Sequence, residues 1–143
     1  MPQRTIRDII GTQTILTAAA ETSVSEAAGL MKRSKVGAIM VVEGGHLVGI
    51  FTERDALFGV IAEGRDPLST RLVEVMTRDP QTIGPDKPLG HALHMMYEGG
   101  FRHVPVVENG RPLGMISARD ALGPELQEFE SELVQREHIR EIL

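Results

Sequence analysis

A translation by 65 residues lays this chain on itself, and that duplication restricts the possible folds more than any other feature. Under the shift, Val41-Val42-Glu43-Gly44-Gly45 falls on Val106-Val107-Glu108-Asn109-Gly110, and Arg54-Asp55-Ala56-Leu57 on Arg119-Asp120-Ala121-Leu122. Over residues 41–57, nine of seventeen positions are identical to their partners. Thr17 pairs with Thr82, Val24 with Leu89 and Met31 with Met96; Ile6-Arg7-Asp8-Ile9-Ile10 matches Leu72-Val73-Glu74-Val75-Met76 after a slip of one residue. A unit of about sixty residues buries too little apolar surface to be comfortably stable alone. The two copies are therefore expected to pack together about a pseudo-twofold axis, leaving two equivalent clefts.

Each copy predicts the same order of elements. A short helical lead-in carries Ile6, Ile9 and Ile10, or Leu72, Val75 and Met76, and leads to an extended piece ending near Thr17 or Thr82. A helix follows whose apolar residues recur at helical spacing: Val24, Ala27, Ala28 and Met31, then Leu89, Ala92, Leu93 and Met96. Pro88 suits a first helical position. Next come two strands per copy, Val36–Val42 with Val48–Phe51 and Phe101–Val107 with Leu113–Ile116. Glu43-Gly44-Gly45-His46 and Glu108-Asn109-Gly110-Arg111 lie between them, and paired Gly or Asn-Gly supplies the positive φ angles of a tight hairpin. A second helix starts after Thr52 or Ser117 and, in the first copy, continues to about Ala62.

The stretch that returns most faithfully is Gly49-Ile50-Phe51-Thr52-Glu53-Arg54-Asp55, repeated as Gly114-Met115-Ile116-Ser117-Ala118-Arg119-Asp120. It reads as a strand ending at a helix start, where unpaired backbone N–H groups and the positive end of the dipole favour a phosphate. An Asp three residues beyond the hydroxyl residue suits a ribose diol, and the Arg before it suits phosphate charge. The same spacing also reads as a plain capping box, in which these side chains satisfy backbone donors and do nothing more.

Composition narrows the chemistry. There is no cysteine, which removes disulfides, thiolate metal sites and a Cys nucleophile. Residues 125–143 hold six acidic and two basic side chains, while the rest is nearly balanced, so the basic footprint of nucleic-acid binding is missing. With four Phe and one Tyr, base-stacking platforms are scarce. The N-terminus lacks the apolar core of a signal peptide and no apolar run is long enough to span a bilayer, so a cytoplasmic location is expected. No phosphate-binding loop, dinucleotide fingerprint or nucleophile elbow occurs, and nothing points to an enzyme. His91, His94 and Glu98 share a helical face, but it lies opposite the apolar one and is expected to face solvent rather than hold a metal.

Taken together, these residues resemble a tandem CBS-domain pair, or Bateman module, over Thr5 to about Leu122. The markers are the two Gly-apolar-apolar-[Thr/Ser]-x-Arg-Asp stretches, Val75-Met76-Thr77, and Arg102-His103-Val104-Pro105-Val106. The resemblance implies an α/β (α+β) fold of two β-α-β-β-α repeats, one over 5–66 and one over 67–124, joined through their sheets, with a separate C-terminal helix over 125–143. It also implies a homodimer. In that family the clefts bind adenosine derivatives, so the ligand is expected to be AMP, ADP or ATP, and less readily S-adenosylmethionine or NAD.

Carried over by position, Asp55 and Asp120 hold the ribose, and Thr52 and Ser117 the phosphate, with Arg54 and Arg119 beside them. Thr17-Ala18 and Thr82-Ile83 line the adenine pocket. Arg102 and His103, continuing into Val104-Pro105, face phosphate. In the first copy Gly37-Ala38-Ile39-Met40 replaces that basic pair and its proline, so the site of that copy is expected to bind more weakly, or to take only the adenosine half. The functional expectation is a regulatory module that reports nucleotide occupancy to a partner protein. The alternative is a structural dimerisation module whose clefts stay empty.

Overall fold

The structure is a computed structural model, and it describes residues 4–11, 13–121 and 134–135. The expected C-terminal helix lies outside the described residues apart from Val134 and Gln135. Two like repeats of mixed helix and sheet follow one another. The first repeat contains α1 (Ile6–Ile10), β1 (Thr17–Ala19), α2 (Val24–Ser34), β2 (Ala38–Glu43), β3 (His46–Thr52) and a π-helix (Asp55–Ile61). The second contains α3 (Leu72–Val75), β4 (Thr77–Arg78), α4 (Leu89–Gly99), β5 (His103–Glu108), β6 (Arg111–Ser117) and α5 (Ala118–Ala121).

Local chemistry accounts for most of these boundaries. Ser23 caps α2 by accepting from the Glu26 N–H, and Lys35 ends it in the left-handed region. Gly100 plays the same terminating role after α4. Pro88 sits at the N-cap of α4, one residue earlier than the sequence suggests, with extended ψ of 151°. Both hairpins turn on two residues of positive φ, Gly44 and Gly45 in the first and Asn109 and Gly110 in the second, as a type I′ turn demands. The helix expected after Thr52 is wound with the wider π period over Asp55–Ile61, a form that concentrates at functional sites.

The lead-ins are exchanged between the repeats. Ile6 and Ile10 of α1 are buried with Ile83, Leu89, Ala92, Met96, Val104, Val106 and Ile116 of the second repeat. Reciprocally, Leu72 of α3 is buried with Val24, Ala27, Met31, Ile39, Val41, Phe51 and Val60 of the first. Backbone bonds repeat the exchange in matched pairs. The Ile6 and Arg7 N–H groups donate to Lys87 and Pro85, while those of Leu72 and Val73 donate to Thr22 and Ala20. Reciprocity of this kind is what a twofold relation between like units produces. Removing a side chain such as Leu72 from water is worth about 2–3 kcal/mol, so each repeat depends on the other for part of its core.

The sheets record the same crossing. β1 to β4 form one sheet in the order β1-β2-β3-β4, in which β4, from the second repeat, pairs antiparallel with β3 through Gly49–Arg78 and Ile50–Thr77. β5 and β6 form the other sheet. At the place in the second sheet matching Ile50–Thr77, the Gln13 side chain imitates a strand: its amide donates to the Met115 carbonyl at 2.9 Å and accepts from the Met115 N–H at 3.1 Å. Gly49 and Gly114, the first residue of each repeated motif, are small because these lead-ins press on them. A Cβ on Gly49 would meet the Thr77 carbonyl oxygen at 3.0 Å, and one on Gly114 the Ile10 Cβ at 2.8 Å.

Candidate functional site

Beyond β4 the chain of the second repeat runs past the end of β3 before joining its own sheet, where Ile83 bridges to Val106. That crossing walls off a cavity of about 830 Å³, within the usual size range for small-molecule sites. One wall is the start of the π-helix, with Thr52, Glu53, Arg54, Asp55, Leu57 and Phe58; Gly37 and Ile50 lie beside it. A second wall is the crossing segment, with Thr77, Asp79, Pro80 and Gln81. The third is the approach to β5, with Gly99, Gly100, Phe101, Arg102 and His103.

At the helix start the capping box is closed. One Asp55 carboxylate oxygen accepts from the Thr52 N–H at 3.0 Å and from the Thr52 hydroxyl at 3.1 Å, while the Thr52 hydroxyl accepts from the Asp55 N–H at 3.2 Å. Partial burial pushes the Asp55 carboxyl above the usual carboxylate range, against the opposing pull of the Thr52 bonds, the Arg54 charge and the Thr77 hydroxyl. Arg54 stacks over the Phe58 ring, 5.6 Å from its centre. Across the cavity, burial holds His103 below its ordinary value, outweighing the upward pull of Glu53 and Asp120; Arg102 adds to the depression. Gly37 marks a close approach here: a Cβ on it would lie 2.6 Å from a Glu53 carboxylate oxygen and 3.4 Å from the His103 Nε2.

Among the residues singled out by sequence, this hollow gathers Gly37, Thr52, Arg54, Asp55, Arg102 and His103. It does not gather the others. Ala18, Ala38, Ile39, Ile83, Val104 and Pro105 are buried in the two cores, Thr17 is half-buried in β1 and Thr82 is exposed. Ser117, Arg119 and Asp120 lie at the equivalent helix start of the second repeat and do not line this cavity, although Ser117 pairs with His103 across the hairpin. There Ser117 and Asp120 repeat the capping bonds at 3.3 and 3.1 Å. The segment corresponding to the crossing wall includes Thr12, which lies outside the described residues.

The grouping corrects one expectation. Asp55 was expected in the cleft without a basic pair, yet Arg102 and His103 stand opposite it. The reason is the exchange: β4 carries the second repeat across the first, so the helix start of the first repeat faces the approach to β5 of the second. Thr77, Asp79, Gln81 and Phe101 were missed as wall residues. The Val75-Met76-Thr77 marker borders them, and Asp79-Pro80 is a turn signal, but only the crossing turns that segment into a wall. Among the described residues no group of three or more His, Asp or Glu is placed to hold a metal. His94 instead pairs with Glu98 at 2.8 Å on an exposed face. Among the described residues no helix is long and apolar enough to cross a membrane.

The CBS domain model matches the sequence twice, over residues 6–61 and 72–123, the same two repeats that the structure shows. The chain belongs to the CBS-domain family. This CBS pair is 34% identical over 116 residues to the mitochondrial CBS domain-containing protein CBSX3 of Arabidopsis thaliana, covering 78% of the chain. It spans 56% of that relative's length and 13% and 19% of two others, but 81% of the CBS domain-containing protein YhcV of Bacillus subtilis, to which it is 35% identical over 115 residues. Among solved structures it resembles a CBS-domain containing protein from Agrobacterium tumefaciens, with 33% identity and a TM-score of 0.76 over 83% of this chain and 97% of that one. It also resembles the CBS domain pair of protein MJ0100, solved with 5′-methylthioadenosine and S-adenosyl-L-methionine, with 26% identity and a TM-score of 0.76 over 92% and 99% of the two chains. CBS pairs are regulatory modules, and the family is generally not catalytic.

Proposed function

We propose that this CBS pair binds an adenosine nucleotide of the AMP, ADP or ATP class in the cavity between its repeats and passes the occupancy of that site to a partner protein. One observation carries the reading: Asp55, at a helix start, faces Arg102 across a hollow large enough for a nucleoside phosphate. An acceptor for a ribose diol and donors for a phosphate are thereby opposed. The 5′-methylthioadenosine and S-adenosyl-L-methionine of MJ0100 support the adenosine half of this reading. S-adenosylmethionine and NAD are less favoured occupants. On this reading the protein is cytoplasmic, works as a homodimer and contacts neither nucleic acid nor membrane. The walls belong to different repeats, so a ligand that prefers one arrangement of the repeats shifts their relative position.

The test is calorimetric titration of nucleotide-free protein with AMP, ADP, ATP, S-adenosylmethionine and NAD, repeated on Asp55→Ala and Asp120→Ala. Asp55→Ala is expected to lose binding at this cavity. If no ligand binds below millimolar concentration, or if Asp55→Ala binds like the parent, the reading fails. A second reading is favoured by the closed capping boxes: Thr52–Asp55 and Ser117–Asp120 already use each other. On that reading the module is a structural dimerisation unit, and alanine at either Asp lowers the melting temperature without changing any ligand response.

A further inference from the structure

The charges that face the hollow discriminate among adenosine ligands, and this step rests on the adenosine reading above. Three carboxylates, Glu53, Asp55 and Asp79, line the cavity with two guanidiniums, Arg54 and Arg102. His103 adds no compensating charge near neutral pH, because burial favours its neutral form. With Asp55 engaged by a ribose, two cations remain for phosphate, and Arg54 is already stacked on Phe58. A single phosphate dianion matches two guanidiniums. Each further phosphate brings negative charge to a hollow that still carries Glu53 and Asp79.

Asp79 carries its carboxylate on the shorter side chain of the two. Its backbone is held in the left-handed region at φ 45°, and its N–H donates to the Val48 carbonyl at 3.2 Å. A non-glycine residue held there on the wall of a cavity is a local strain of the kind that collects at ligand sites. The left-handed turn alone requires only Asn or Asp, so the charge is separable from the turn.

We propose that this cavity takes an adenosine ligand bearing at most one phosphate, and that the Asp79 carboxylate is the specificity-determining group that turns away di- and triphosphates. Asn keeps the left-handed turn, which makes Asp79→Asn a charge change without a backbone change. Adenosine, AMP and ATP are titrated in EDTA into the full chain and into Asp79→Asn. The parent is expected to bind AMP at least about tenfold more tightly than free ATP, from like-charge repulsion at partly screened sites. Asp79→Asn is expected to narrow that ratio about three- to tenfold, chiefly by improving ATP, with adenosine affinity unchanged. If the parent binds ATP as tightly as AMP, or if the ratio is the same in Asp79→Asn, this proposal is overturned while the adenosine reading stands. If none of the three binds, both are lost.

Discussion

Gly114→Ala tests the exchange of lead-ins directly, because the sign of its effect depends on it. In a strand, replacing Gly by Ala ordinarily stabilises by roughly 0.5–1 kcal/mol, since Gly has more backbone entropy to lose. Here the added Cβ would lie 2.8 Å from the Ile10 Cβ, 2.9 Å from the Ile10 Cγ2 and 2.9 Å from the Gln13 Oε1. Ile10 is 7% exposed and packed in the second core, so it has little room to retreat. Overpacking of this kind costs about 1–3 kcal/mol, and displacing Gln13 weakens its two bonds to Met115 at about 1 kcal/mol each. The net expectation is a loss of about 2 kcal/mol, or roughly 5–10 °C in melting temperature for a chain of this size. Thermal and urea unfolding followed by circular dichroism reads it. Gly90→Ala is the control, because its Cβ would meet nothing within 4 Å in the first turn of α4; it should gain up to about 1 kcal/mol. Adding Gln13→Ala to Gly114→Ala should cost less than the sum of the single changes, because both act on one contact. A Gly114→Ala protein as stable as its parent, or more so, would refute the packing of α1 on β6.

Three further outcomes follow from the site. His103 has a folded-state pKa below its ordinary 6.5, so the unfolded chain binds its proton more readily. The stability tied to neutral His103 is full above about pH 6.5 and falls as acid is added below it. His103→Gln should flatten that part of the melting-temperature profile between pH 7 and 5, and an unchanged profile would remove His103 as its source. Thr52→Val removes the hydroxyl of the capping box and should cost about 1 kcal/mol in urea unfolding; no loss would show that the cap is not holding the π-helix start. Ile61, 69% exposed at the end of the π-helix, is free of the core, so Ile61→Glu should leave stability within about 0.5 kcal/mol. Under the homodimer proposal the parent protein should sediment as a dimer, and a parent that sediments as a monomer would count against that proposal.

Local pattern alone determined a good deal of this molecule. The duplication is read directly from the 65-residue shift, and the two hairpins on Gly44-Gly45 and Asn109-Gly110, the buried faces of α2 and α4 and the caps at Thr52 and Ser117 depend on neighbours within a few residues. Those were legible because each rests on spacing, turn chemistry or a hydroxyl-carboxylate pair close along the chain. The cavity walls at Thr52, Arg54 and Asp55 were legible for the same reason, as one face of a repeated motif. The π winding of Asp55–Ile61 was not, since its apolar residues fit an ordinary helical period as well.

Only the tertiary structure decided which repeat each lead-in serves. Ile6 and Leu72 carry the same local signal whether they pack on their own unit or on the other, and a translational match between copies cannot separate the two arrangements. The choice depends on contacts more than a hundred residues apart, such as Gln13 with Met115 and Ile10 beside Gly114. It also decided the site: because β4 crosses to β3, Arg102 and His103 stand opposite Asp55, and Asp79 becomes a wall.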